Sequence, residues 1–594
     1  MDQGEETIGS SPNSGGSDRF LRGGDAPSAE STFRGDGTLS AAGTGEHESN
    51  AGASPTAGSH VLRPEEHQVG RRLAALLLAA YVGYWIYLTL AVSLGTIVNG
   101  LLDDSFYYLQ VARNLAAGLG STFDGVEATN GYHPLWMMLL VPVYAVFPGD
   151  EAPLRAALVL GATFGFGFLL SIHRILGSAA GAWAAAIGLL LFAWPRFFGQ
   201  TVSLLETSLL LFVHITAIGL WMRWSEERPG RYDRPIRSSL LFGLCLGLAC
   251  LARLDSVFLL IAFTVVALIE WTRRGSVWPW DRSAAIWRIA LPMAIAALVV
   301  LPYLAWNLFE FGHLQPVSGS MKSTFPQPSF HGRYLREFPE FIALCALGTG
   351  FFLFSLRKQC SAFLRILGIF GLAGMLHMAY TLLFMCWGVD RWHFGILIPI
   401  AVLGIPYLAE LGLRRSGWGS VRVRTAALAL GVVAAVGVQT FSLLLREGRY
   451  LDVTRHLAYW ARTALPEDAV VAATDTGVFA YFSERTTINL DGLINNYRYR
   501  EMLRTGRFTE YLAQRGVGYI LDQNMFGNQA WISGQYHSRP YRVWLHPENR
   551  VAGEITLYRE DEVARIQTES RFADATREVA PNAIVLWRYR NVRQ

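Results

Sequence analysis

Charge is scarce in this 594-residue chain. Asp, Glu, Lys and Arg supply 16% of the residues, against about a quarter in an ordinary soluble domain. With 52% hydrophobic residues and a mean hydropathy of +0.26, the composition excludes a disordered chain and argues against an ordinary cytosolic enzyme. The formal net charge of +4 leaves no nucleic-acid footprint. Cysteine is scarce as well. The five present, Cys245, Cys250, Cys345, Cys360 and Cys386, have the spacing of neither a zinc site nor a disulfide framework and read as small apolar side chains. Thirteen histidines are scattered without the paired spacing of a helical zinc site. No repeat of fixed period is evident, which weakens a solenoid reading. The N-terminal stretch lacks the basic start and short apolar core of a signal peptide, so the first apolar run is expected to be a retained anchor.

Three zones follow from the distribution of what is present. Gly and Ser supply 22 of the first 60 residues, too little apolar surface to offset the entropy of ordering, so 1–68 reads as a disordered cytoplasmic tail. Residues 69–445 hold twelve apolar runs separated by short polar breaks, at 72–98, 134–147, 153–172, 179–195, 207–222, 238–252, 256–271, 287–307, 340–356, 362–386, 393–412 and 425–445. Residues 446–594 regain charge, and short β-rich runs (AVVAAT, TTINL, VGYIL, AIVLW) alternate with helix-like stretches at 452–463 and 507–515. The pattern predicts a small α/β domain outside the membrane.

Basic residues cluster in alternate breaks: 17 lie in one set, from Arg174 through Arg424, against 8 in the other. The positive-inside rule puts the richer set in the cytoplasm. That alternation requires one run before Arg174 not to cross. The run 134–147 is short and begins at a proline, which suits an interfacial segment. The expected fold is therefore mainly α: a multi-pass protein of the cell membrane with about eleven transmembrane helices and interfacial helices in the first outer loop. Its N-terminus is expected inside, and its terminal α/β domain on the extracytoplasmic side.

The most informative segment follows the first crossing, LLDDSFYYLQVARNLAAGLGSTFDGVEATNGYHPLW, residues 101–136. Two adjacent carboxylates, Asp103 and Asp104, stand at the outer end of a membrane helix, where ionised groups are costly. Either they cap a following amphipathic surface helix carrying Phe106, Leu109, Val111 and Leu115, or they serve chemistry. Asn130, Tyr132 and His133 come next. Other polar groups fall on the same expected face. Glu206 stands at the outer start of a crossing, where the helix dipole also favours a carboxylate. Arg253 and Asp255 share a very short break, as an ion pair or as site residues. Lys322 is the single lysine of the loop 308–339, with the chemistry of a phosphate ligand. Asp390, Arg391 and His393 lie in a short outer loop that also holds Trp387 and Trp392, an aromatic belt setting.

The order DDSFYYLQVARN, NGYHPLW and apolar runs with short breaks resembles the GT-C superfamily of membrane glycosyltransferases. Within it, the chain is similar to relatives of the protein O-mannosyltransferases and the aminoarabinose transferase of lipid A. Those proteins carry an acidic pair at the start of the first outer loop and a His-Pro-Pro-Leu-like segment. Here that segment is His133-Pro134-Leu135-Trp136, with Leu in place of the second Pro. The resemblance implies transfer of a sugar from a polyprenyl phosphate carrier to an acceptor at the outer membrane face, with inversion. The acceptor would be a lipid, a glycan or a protein. It makes Asp103 the expected base and Asp104 an orienting group or, with Asp103, a ligand for a divalent cation; no other cofactor is implied. Asn130, Tyr132, His133, Glu206, Arg253, Asp255, Lys322 and Arg391 become the expected substrate-binding set, with Arg391 facing the donor phosphate. In the terminal domain, Asp475 (TDTGVF) and Asp491 (NLDGLIN) lack the paired copy an aspartic protease needs, and the domain is expected to help place the acceptor.

Two other functions share the outward-facing layout. A transporter or flippase of lipid-linked sugars tends to carry polar groups near the bilayer midplane and paired repeats; here the polar groups gather at helix ends. A ligase or polymerase of lipid-linked glycans would need no acidic pair in the first loop.

Overall fold

A helix that is apolar on every side has two environments open to it, the protein interior and lipid, and α1 (Pro64–Leu90) uses both. Tyr81, Trp85 and Leu88 are buried against neighbouring helices, while Leu76, Ile86 and Leu90 point outward. The structure is a computed structural model. It describes residues 64–226, 233–272, 282–357, 359–416, 421–444, 450–523, 537–568 and 582–590. The expected disordered tail therefore lies almost wholly outside the described residues.

After α1 the chain forms α2 (Leu94–Gly100), α3 (Asp103–Ala116), α4 (Pro134–Val146), α5 (Glu151–Ala179), α6 (Ala182–Phe192) and α7 (Pro195–Val202). Next come α8 (Thr207–Glu226), α9 (Asp233–Ala252), α10 (Val257–Thr272), α11 (Arg282–Phe311), α12 (Val317–Lys322) and α13 (Arg333–Glu337). The bundle closes with α14 (Pro339–Ser355), α15 (Ala362–Phe384), α16 (Ile405–Ser416) and α17 (Val421–Leu444). Helix α14 packs along α15, α9 along α11, and α5 against both α6 and α8.

The expected eleven crossings are not matched by eleven full-length spans. Among the described residues, five helices (in α1, α5, α11, α15 and α17) are long and apolar enough to cross a membrane. The number rises to seven if two bent pairs each count as one span: α6 with α7, bent by 66°, and Arg391–Leu397 with the segment through α16, bent by 49°. The apolar parts of α4, α8, α9 and α14 are shorter. The break between α8 and α9 includes residues outside the described set. Helix α4, of 13 residues, is about 20 Å long at 1.5 Å per residue, short of the roughly 30 Å apolar core of a bilayer.

All four β-rich runs read from the sequence are strands: β1 (Val470–Ala473), β2 (Thr486–Asn489), β3 (Tyr519–Asp522) and, closing the chain, β7 (Asn582–Arg588). Between β3 and β7 lie β4 (Ser538–Leu545), β5 (Arg550–Tyr558) and β6 (Glu562–Thr568). The main sheet has the order β2-β1-β3-β7-β6. Strands β2, β1 and β3 run parallel, and β7 and β6 are antiparallel to their neighbours. Strands β4 and β5 form a separate hairpin. The helices of this domain are α18 (Tyr450–Ala464), α19 (Gly477–Ser483), α20 (Tyr497–Arg504) and α21 (Phe508–Gln514).

Helix α3 departs from the surface helix that its sequence predicts. Phe106, Leu109, Val111 and Ala112 are fully buried, and Tyr107 and Tyr108 nearly so. One side packs on α4 and the other on α19 of the C-terminal domain, so a domain contributed some 370 residues later covers the face expected to meet solvent. The seam is polar at its edges. Arg515 pairs with Asp124 at 2.6 Å and Glu127 at 2.9 Å, Arg113 bridges Asp150 and the Tyr481 carbonyl, and Arg462 reaches the same Asp150 at 3.1 Å. At its centre the backbones touch. A Cβ added at Gly131 would lie 2.1 Å from the Leu493 carbonyl oxygen, and one at Gly477 would lie 2.2 Å from that of Asp103.

Candidate active site

Successive helix residues point about 100° apart, so the two aspartates at the start of α3 cannot serve one target. Asp103 turns toward the C-terminal domain. Its Oδ2 accepts the Gly477 N–H at 2.7 Å and its Oδ1 the Val478 N–H at 2.9 Å. It is a cap after all, but of α19 rather than of its own helix, whose N-cap is Leu102. Burial pushes its pKa up to about 7, against the pull of those two N–H groups, with the Asp104 and Asp491 carboxylates adding to the rise. Asp104 turns the other way, into a cleft lined also by Tyr107, Tyr108, Tyr132, His133, Glu206, Arg253, Lys322, Trp392 and His393, with Leu493 and Ile494 from the C-terminal domain. Burial raises its pKa and the Lys322 ammonium lowers it, with a net rise.

Lys322 is the last residue of α12. The Cys386 N–H donates to the Lys322 carbonyl at 2.9 Å, and the side chain passes over Gly388, whose Cβ position would lie 3.8 Å from Nζ. The half-buried ammonium makes no ion pair or hydrogen bond among the described residues. Opposite it, Glu206 is fully engaged. Arg253 binds it at 2.6 Å, the Tyr108 hydroxyl donates to it at 3.0 Å, and His133 Nε2 lies 3.7 Å away. Arg253 also binds Asp255 at 2.9 Å, and Asp255 lies 3.6 Å from His377. Arg253 and Asp255 form an ion pair, and Glu206, the residue just before α8, is held by the same guanidinium. Arg253 and Glu206 still line the cleft, while Asp255 stands behind them.

The other expected site residues divide. Tyr132 lines the cleft and its hydroxyl lies 2.6 Å from Ser121 Oγ. His133 lines it with a buried Nδ1 that has no partner among the described residues. Asn130 is fully buried away from the cleft; it donates to Asn307 at 3.1 Å and accepts the Val317 N–H at 3.0 Å, tying the first loop to α11 and α12. Arg391 does not line the cleft. It faces Glu340 at 3.7 Å with its side chain 43% exposed, and the next two residues, Trp392 and His393, line the wall instead.

Tyr107 and Tyr108 also belong to the site, and each lies four positions after an aspartate and so on the same helix face. Tyr107 donates to Asp491 at 3.0 Å, and Asn489 donates to both. The approach of Leu493, Ile494 and Asp491 to this loop has no local signal in the sequence. Both oxygens of Asp103 are taken by backbone N–H groups, and among the described residues no group of three His, Cys, Asp or Glu is placed to hold a metal. A larger groove, of about 740 Å³, runs between α1, α5, α6 and α17, and no charged side chain lines it.

The fold has counterparts among solved structures. ArnT from Cupriavidus metallidurans bound to undecaprenyl phosphate superposes with a TM-score of 0.52 at 12% identity, over 81% of this chain and 97% of that one. The chain has the GT-C fold. The apo oligosaccharyltransferase of Archaeoglobus fulgidus matches with a TM-score of 0.52 at 14% identity, over 82% of this chain and 74% of that one. A family model described as a domain of unknown function, DUF8728, matches residues 445–571, which span most of the α/β part of the chain. No curated protein matches by sequence.

Proposed function

We propose that the chain is a membrane glycosyltransferase that moves a sugar from a polyprenyl phosphate carrier to an acceptor at the extracytoplasmic face. The observation that carries this reading is an unpaired ammonium, Lys322, facing an open carboxylate, Asp104, across one cleft between the bundle and the C-terminal domain. The GT-C fold supports it, as does the undecaprenyl phosphate held by the ArnT neighbour. The cleft, rather than the larger apolar groove, has the counter-charge a phosphate requires.

The chemistry is a single displacement. An acceptor O–H or N–H attacks the anomeric carbon, its proton passes to Asp104, and the bond from that carbon to the phosphate oxygen breaks. The carrier phosphate leaves with one more negative charge than it held as a diester, and Lys322 meets that charge. One carboxylate acts as base, and Glu206, the other carboxylate lining the cleft among the described residues, is held by Arg253 and Tyr108, which gives inversion. Asp104, and not Asp103, takes the role because a base must reach the acceptor's proton and Asp103 is committed to α19. Leu493 and Ile494 bring the C-terminal domain to the cleft edge, where an acceptor would enter.

Lys322→Met tests the phosphate side. Transfer is expected to fall, because the leaving charge loses its partner, and the acid limb of the pH–rate profile is expected to move to higher pH. The sign follows from the base. Asp104 works deprotonated, so the rate falls as pH drops through its pKa, and removing the ammonium that lowers that pKa raises the midpoint. An unshifted limb would disconnect Lys322 from the base. Following carrier phosphate release from a purified polyprenyl phosphate sugar separates transfer from transport, since a flippase leaves the donor intact.

A further inference from the structure

His393 stands in the cleft wall between the run that holds Lys322 and the bent span that follows. Its backbone belongs to the tight helical segment Arg391–Leu397, capped by Asp390. The cap is reciprocal. The Asp390 carboxylate accepts the Arg391 N–H at 2.6 Å, and the Asp390 N–H donates to His393 Nδ1 at 3.1 Å. A backbone amide always carries its hydrogen, so the Nδ1 that receives it must present a lone pair. The Asp390 carbonyl also lies 3.2 Å from Nδ1, but the amide hydrogen is fixed by the peptide plane and decides the matter. An imidazole with a lone pair on Nδ1 is neutral and carries its proton on Nε2. The edge bearing Nδ1 is turned back on the backbone, so the Nε2–H edge is the one presented to the cleft, and it makes no hydrogen bond among the described residues.

We propose that the Nε2–H of His393 is a second donor to the carrier phosphate, beside Lys322. This rests on the glycosyltransferase reading above. The two groups divide the work. Lys322 is a mobile point charge, whereas the ring is locked by its cap and offers one directed hydrogen bond. A phosphate oxygen can take both. Because the ring is neutral, it adds direction without a second unpaired charge in a confined site. The cap therefore sets the tautomer, and the tautomer sets what the wall offers to a ligand.

The experiment compares binding of undecaprenyl phosphate and undecaprenol, which share a tail and differ in the phosphate, to purified wild type, His393→Asn and His393→Gln. The Asn carbonyl can keep the bond from the Asp390 N–H but has no donor at the outer position. The Gln amide restores a donor near Nε2. Wild type is expected to prefer the phosphate. His393→Asn is expected to lose roughly ten- to a hundred-fold of that preference, the usual worth of one hydrogen bond to a charged group, and His393→Gln to recover most of it. Thermal melting of each variant, with and without undecaprenyl phosphate, separates lost binding from lost folding. If His393→Asn keeps the wild-type preference, or if His393→Gln falls as far as His393→Asn, the proposal is overturned and the glycosyltransferase reading stands. If wild type shows no preference for the phosphate, the glycosyltransferase reading itself fails.

Discussion

Asp104→Asn is expected to lower sugar transfer by roughly 10²–10⁴-fold and to leave the melting temperature and membrane insertion as in wild type. The amide fills the same space, keeps a polar atom toward the cleft and cannot accept the acceptor's proton. Asp103→Asn should behave in the opposite way. Its carboxylate accepts two backbone N–H groups of the C-terminal domain, whereas the amide has one acceptor oxygen, and a buried N–H left without its partner costs about 1–3 kcal/mol. The variant is expected to melt earlier and to lose activity in proportion to how far the domain lifts from the bundle. Measuring kcat and melting temperature on both variants checks the division of roles. A stable, inactive Asp103 variant beside an active Asp104 variant would exchange the two residues.

The second large effect concerns the seam. Gly131→Ala and Gly477→Ala each place a methyl group 2.1–2.2 Å from a carbonyl oxygen across the seam, and real contacts of this kind essentially never fall below 3.0 Å. Overpacking a core costs about 1–3 kcal/mol even where side chains can shift; here the obstacle is backbone, which has no rotamer to change. Both variants are expected to insert normally, to lose transfer and to expose the C-terminal domain to limited proteolysis. Gly83→Ala, in α1 with nothing within 4 Å, is the neutral control. Wild-type transfer by both seam variants would show that the cleft does not need the domain.

Much of this architecture was legible along the chain. Apolar runs located the helices, alternating β-branched runs located four strands, and DDSFYY marked the loop that begins the site. The β4–β5 hairpin was not legible: Tyr541, Val543 and Leu545 alternate inward with outward Arg542 and Trp544, but charged residues in the pattern masked it. Nor was the division of labour between Asp103 and Asp104. Adjacent residues of one helix differ only in direction, and what lies in each direction is fixed by a domain hundreds of residues away. Arg391 shows the same limit at short range. The motif singles out the arginine, while the turn set by the Asp390 cap presents Trp392 and His393 to the cleft. Asn130 has the polarity of a site residue, yet its two ends are spent on α11 and α12.

A structure of the protein with undecaprenyl phosphate bound tests the central claim most directly. The account predicts the phosphate in the cleft between Lys322 and His393, within hydrogen-bond reach of both, with Asp104 facing the open side of the phosphorus–oxygen bond where the sugar would stand. A phosphate seated instead in the uncharged groove between α1 and α17, or held by Arg391 at the outer surface, would contradict it.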